Sequence, residues 1–207
     1  MITPSGLATR PITLADAFPG ARAPSLIWDA VLVIAGAALT AVAAQVAFTM
    51  PWTAVPYTLQ TGAVLLAGTA LGVRRGVAAM ALYVLLGVVG LPVFAGHASG
   101  IAKLFGFTGG YLIGFIVAAG LVGRLAERAW DRTALQTIGL MVLGTLVIYL
   151  IGVPVLAAGT GLPVPDAIYQ GAIVFLPWDA AKVVIAAGLL PLAWRLIGEG
   201  SATGRRA

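Results

Sequence analysis

The stretch Ala134-Leu-Gln-Thr-Ile-Gly-Leu-Met-Val-Leu-Gly-Thr-Leu-Val-Ile-Tyr-Leu-Ile-Gly-Val-Pro-Val-Leu-Ala157 carries no charged residue over 24 positions. As a helix rising about 1.5 Å per residue it is about 36 Å long, enough to cross a hydrocarbon core about 30 Å thick. Working outward from it, apolar runs recur at 26–48, 59–73, 76–94, 107–125 and 171–194, each bounded by charges or by Pro and Gly clusters. The whole chain agrees with this local reading. Of its 207 residues 60% are hydrophobic and 9% charged, and the mean hydropathy is +1.03, whereas a soluble domain has about a quarter of its residues charged. The fold class expected is therefore an all-α integral membrane protein of six transmembrane helices. A cytoplasmic lead-in over 1–25, a six-helix domain over 26–197 and a cytoplasmic tail over 198–207 complete it. The run at 59–73 is short and preceded by Pro51 and Pro56, so it is expected to start part-way into the membrane from a partly buried loop.

Orientation follows from the basic residues, because short loops rich in Lys and Arg stay in the cytoplasm. Of the 12 present, Arg10, Arg22, Arg74, Arg75, Arg124, Arg128, Arg132, Arg195, Arg205 and Arg206 all fall on one side of a six-span topology. Lys103 falls on the other side and Lys182 within the last span. Both termini are thus expected in the cytoplasm. The net charge of +5 reads as topology, since the basic residues form no stripe with interleaved aromatics, and no nucleic-acid partner is expected. The outer connections 49–58, 92–106 and 152–177 are apolar and rich in Pro, Gly and aromatics, and are expected to fold back onto the bundle.

The composition also limits the chemistry. With no Cys and one His, His97, neither a metal cluster nor a cysteine nucleophile is expected, and nothing points to an enzyme or a cofactor. No Gly-x4-Gly-Lys-Ser/Thr loop occurs, so any ATP-driven motor is another protein. The informative charges are Asp179 and Lys182 in Phe175-Leu-Pro-Trp-Asp-Ala-Ala-Lys182. Three residues apart on a helix, they share a face, and ionisable groups at membrane depth mark binding sites or ion pathways by default. A structural ion pair, or a lysine snorkelling to the surface, is the competing reading.

A second group, Trp52, Tyr57 and Gln60, offers aromatic walls and a neutral amide to a small polar ligand, although the aromatics also suit an interfacial belt. Trp178 stands beside Asp179, and Thr108 and Gly109 at a helix entrance offer a hydroxyl and free N–H groups. Tyr83 and Tyr111 are hydroxyls in aliphatic surroundings, in keeping with either a site or a satisfied core position. Gly106, Gly110 and Gly114 read as close helix packing, and His97 as a solvated or capping residue. On the first span, Gly36, Ala37, Thr40, Ala41 and Ala44 form a small-residue stripe open to internal packing or to a partner subunit, with Ala37 and Ala41 as the candidate partner interface.

These stretches also match a family pattern. Val55-Pro-Tyr-Thr-Leu-Gln60, Leu82-Tyr83 through Gly87 to Gly90-Leu-Pro-Val-Phe94-Ala-Gly96, Thr108-Gly-Gly-Tyr-Leu-Ile-Gly-Phe115 and Pro177-Trp-Asp179-Ala-Ala-Lys182 resemble the BioY family over about residues 26–195. Its members are the biotin-specific S components of energy-coupling factor (ECF) transporters. Phe107 stands where the family usually has Pro, and Gly96-His-Ala-Ser-Gly100 is an unusual form of that loop. The resemblance implies an S-component fold, with biotin bound near the outer surface under the loops joining spans 1–2, 3–4 and 5–6. It implies as partners a shared transmembrane coupling subunit and ABC-type ATPases, within the lipid bilayer. Asp179, Lys182, Gln60, Trp52, Tyr57, Tyr83, Thr108, Gly109, Tyr111 and Trp178 are the expected ligand contacts. An S component for a different vitamin is the alternative.

Overall fold

The computed structural model describes residues 13–17 and 26–203, with side chains up to Ile197. Most of the expected lead-in, Arg205, Arg206 and the side chains of the expected tail lie outside the described residues. Seven α-helices are seen among them: α1 (Leu26–Gln45), α2 (Gln60–Val88), α3 (Ile101–Phe105), α4 (Gly109–Ala126), α5 (Ala134–Thr160), α6 (Val164–Gly171) and α7 (Leu176–Thr203). Five helical stretches are long and apolar enough to cross a membrane, against six apolar runs in the sequence. The difference lies in α2, which breaks at Gly72 (φ 79°, ψ −178°). Gln60 Nε2 donates to the Tyr83 hydroxyl at 2.6 Å, although these residues would stand about 34 Å apart along a straight helix. So α2 turns back on itself, and its arms 60–71 and 73–88 coincide with the second and third apolar runs. The left-handed backbone at Gly72 is what the reversal requires, and a Cβ there would also crowd Thr13 Cγ2 at 2.9 Å and Glu127 Oε1 at 3.0 Å.

Small residues let the helices approach closely. A Cβ on Gly68 would lie 2.8 Å from Ala119 Cα and one on Gly76 3.0 Å from Gly68 Cα, so the two arms and α4 meet backbone to backbone. Gly110 and Gly114 likewise face Ile151 and Ile148 on α5, in the packing role read from their spacing. The stripe on α1 is used in the same way. Gly36 faces Leu71 and Ala79, while Ala37 is 2% exposed and Thr40 fully buried. The expectation that Ala37 meets a partner is corrected here: at 2% exposure its side chain lies in the chain's own buried core. Ala41 packs half-buried against the same core.

The arginine-rich turns gather at one end of the bundle. Arg75 bridges Asp16 of the short 3-10 turn Leu14–Ala17 at 2.6 Å and Asp29 of α1 at 2.7 Å. Burial alone would raise the Asp16 carboxyl, but hydrogen bonds from Arg75 and Thr13 outweigh it and hold the group below its usual range. Glu127 accepts the Val73 N–H at 3.0 Å, capping the second arm of α2. Between α4 and α5 the buried Asp131 accepts from Trp194 Nε1 at 2.7 Å, which ties the far end of α7 to that turn.

At the opposite end the long connections fold inward, as their composition predicts. Residues 47–58 form a small hairpin whose strands β1 (Ala47–Phe48) and β2 (Tyr57–Thr58) pair antiparallel. The 90–100 loop is fastened by the Gln45 side chain, which donates to the Val93 and Phe94 carbonyls at 3.3 Å each and accepts the His97 N–H at 3.1 Å. His97 is thus an exposed residue whose backbone, rather than its imidazole, secures the loop.

Candidate ligand-binding site

Under these connections lies a cavity of about 430 Å³, bounded by the β1–β2 hairpin, the 94–98 loop, α3, the start of α2 and the adjoining parts of α4, α5 and α7. Apolar and aromatic groups make most of the wall, among them Val55, Phe94, Phe107, Phe115 and Phe175. Of ordinary ligand size, it carries a few convergent polar groups, the usual anatomy of a small-molecule site.

Its charge is concentrated on α7. Lys182 Nζ donates to Asp179 Oδ1 at 2.8 Å, and the two side chains are 11% and 8% exposed. Thr61, at the start of α2, links them. Its hydroxyl donates to Asp179 Oδ1 at 3.1 Å and accepts from Lys182 Nζ at 2.6 Å. The Tyr149 hydroxyl on α5 donates to Asp179 Oδ2. The lysine does not snorkel: its stem lies over Gly62, where a Cβ would sit 3.3 Å from Lys182 Cδ, so the ammonium stays at the cavity wall. Two opposite charges desolvated together, with further hydrogen bonds on both, form a nearly neutral but strongly polar patch. The remaining charge on the wall is Lys103, which is solvent-exposed.

A sequence model of the BioY family matches residues 14–199 of the chain. The chain belongs to the BioY family. It is similar to the biotin transporter BioY of Thermotoga maritima, with 42% identity over 67% of this chain and 80% of that one. It is also similar to the biotin transporter BioY of Rhizobium etli, with 37% identity over 64% of this chain and 74% of the relative. Its fold is that of a solved structure described as the S-component for biotin from an ECF-type ABC transporter. The TM-score is 0.74, over 82% of this chain and 92% of that one, at 20% identity. A BioY chain with several apolar helices is a multi-pass membrane protein.

Within this BioY chain the residues singled out in the sequence divide into two groups. Asp179, Lys182, Gln60, Thr108 and Tyr111 line the cavity. Trp52, Tyr57, Tyr83, Gly109 and Trp178 do not, and each serves elsewhere. Tyr57 is buried between Phe48, at 5.2 Å, and Phe175, at 4.4 Å, and donates to the Val174 carbonyl at 2.8 Å, joining the hairpin to the start of α7. Half-exposed Trp52 donates to the Tyr57 hydroxyl at 3.4 Å. Trp178 donates to the Thr58 carbonyl at 3.0 Å, so its ring braces the hairpin from behind. Tyr83 is fully buried and orients Gln60 while donating to the Val93 carbonyl at 3.2 Å. Gly109 is pressed against the Leu104 carbonyl, where any side chain would overlap backbone. These five support the cavity walls instead of forming them.

Sequence reasoning missed Thr61, Tyr149, Phe94, Phe115, Phe175 and Lys103 as wall residues. Thr61 and Tyr149 lie 118 and 30 positions from Asp179. One signal was available: a lone Tyr in the charge-free fifth span needs a hydrogen-bond partner when buried.

Proposed function

We propose that this chain is a biotin-binding S component that mediates biotin uptake, seating the cyclic urea of biotin against Asp179 and Lys182. The observation carrying this reading is the buried, hydrogen-bonded acid–base pair on the wall of an otherwise aromatic cavity, in a chain of the BioY family. A urea offers two N–H donors and one carbonyl acceptor, which complement a carboxylate and an ammonium side by side. The ligand's own carboxylate at that spot would add a second negative charge beside Asp179 in a desolvated site. The acid tail therefore points toward Lys103, and the thioether ring lies along the aromatic wall. The relatives named above are biotin transporters, which favours biotin over a different vitamin. The function is binding and translocation, not catalysis.

The deciding experiment is isothermal titration of the purified chain with biotin, with mass spectrometry of any co-purified small molecule. No saturable binding, or a different vitamin retained from rich medium, would refute the assignment. Lys103→Ala should weaken binding severalfold, since an exposed charge contributes about 1 kcal/mol or less, and the effect should shrink in high salt. Loss of binding beyond tenfold there would relocate the polar end of the site.

The topology completes the reading: six crossings, counting the two arms of α2 separately, with both termini and the arginine turns in the prokaryotic cytoplasm. Uptake driven by ATP then needs a transmembrane coupling subunit and ABC-type ATPases, because this sequence has no nucleotide-binding loop of its own. In this cysteine-free chain, Asp166→Cys should react with an impermeant thiol reagent added to intact cells and Arg128→Cys should not. The reverse pattern would invert the orientation.

A further inference from the structure

We infer that Tyr149 is a positioning residue of the binding site, which holds the Asp179 carboxylate in the one orientation that leaves an acceptor position open to a urea N–H of the ligand. This rests on the biotin reading above. An ionised carboxylate has about four acceptor positions. Three are occupied: Oδ1 by Lys182 at 2.8 Å and Thr61 at 3.1 Å, and Oδ2 by the Tyr149 hydroxyl. The fourth is what Asp179 presents to the cavity that it lines. The three donors come from α7, α2 and α5, so the carboxylate is fixed from three directions. Among the described residues Tyr149 is the one donor on Oδ2, and its removal frees that oxygen to turn toward Lys182 and Thr61. The hydroxyl suits this role, because Tyr149 is 9% exposed and itself lines the cavity, and its donation to Asp179 is its own hydrogen bond. A buried hydroxyl left unpartnered carries a desolvation penalty, so Tyr149 and Asp179 hold one another.

A mere tie between α5 and α7 would also use this hydrogen bond, and the two roles differ in how they treat the ligand. The test compares the full-length parent and Tyr149→Phe in detergent, by thermal melting and by titration with biotin and with the two biotins singly N-methylated on the urea. Each methylated ligand lacks one N–H. The expected result is about a tenfold weaker affinity of Tyr149→Phe for biotin, with a melting temperature close to the parent's. One methylated ligand, having kept the N–H that faces Asp179, should suffer the same tenfold loss. The other, having already lost it, should bind parent and variant nearly alike. Equal losses for all three ligands, or a collapse of the melting temperature together with binding, would make Tyr149 a structural tie and overturn the assignment. Parent-like affinity of Tyr149→Phe for biotin would also overturn it and leave the functional reading standing, whereas a parent that does not bind biotin overturns both.

Discussion

Asp179→Asn and Lys182→Met are each expected to weaken biotin binding more than tenfold while the protein remains folded. Removing a charged group that faces a polar group of the ligand in a desolvated site costs about 2–5 kcal/mol, because the ligand group is left unmatched, and each 1.4 kcal/mol is a factor of ten in affinity. The surroundings sharpen the expectation. Neither side chain has ready access to water at 8% and 11% exposure, and Thr61 and Tyr149 are committed to the same carboxylate. If the pair were only a helix lock, single variants would fold poorly and a double apolar replacement would restore both folding and binding. The measurement is titration with biotin alongside expression level and monodispersity for both single variants and the double. A well-folded single variant that binds as tightly as the parent would remove that residue from the site.

The second large effect separates the scaffold from the cavity wall. Gly68→Val should abolish the folded protein, because its Cβ would press on Ala119 Cα and the Ala119 carbonyl at 2.8 and 2.9 Å, both backbone atoms of α4. Overpacking typically costs about 1–3 kcal/mol where side chains can yield, and here the obstacle is backbone, so the α2–α4 contact must open. Gly87→Ala should behave differently. Its methyl would overlap the Phe94 ring, which is 4% exposed and packs edge-on against Tyr83 at 5.6 Å. A side chain on a loop can move, so the bundle survives while Phe94 is pushed from its notch and the cavity wall with it. Yield and monodispersity near the parent's, with biotin affinity down at least tenfold, are expected for Gly87→Ala. Normal yield of Gly68→Val would mean that α2 and α4 do not meet at that point.

How much of these contacts was legible in the sequence differs from residue to residue. The Gly-rich fourth span announced close packing, and Gly110 and Gly114 do pack on α5. The small residues of α1 announced close approach equally well but not the partner: Gly36 faces Leu71 and Ala79 of α2, and Ala37 is buried in the chain's own core. The aromatic residues beside the loops read as ligand contacts, yet Tyr57 and Trp178 turn their polar atoms to the Val174 and Thr58 carbonyls and not to the cavity. A hydroxyl or indole N–H announces that it needs a partner, and it does not say which.

The sequence by itself determined the apolar runs, the gathering of arginines on alternate connections, the membership of a family and the acid–base pair of α7. All of these are local or additive: hydropathy sums over a window, charge bias over a loop, and the i, i+3 relation of Asp179 and Lys182 is fixed by helix geometry alone. The tertiary structure alone decided that Thr61 and Tyr149 complete that pair, that α2 turns back at Gly72 so that Gln60 meets Tyr83, and that Phe94 fills the notch at Gly87. These depend on how each helix is rotated about its axis. A helix apolar on every side has no polar face to declare that rotation; in a membrane it is set by which small residues allow two backbones to touch.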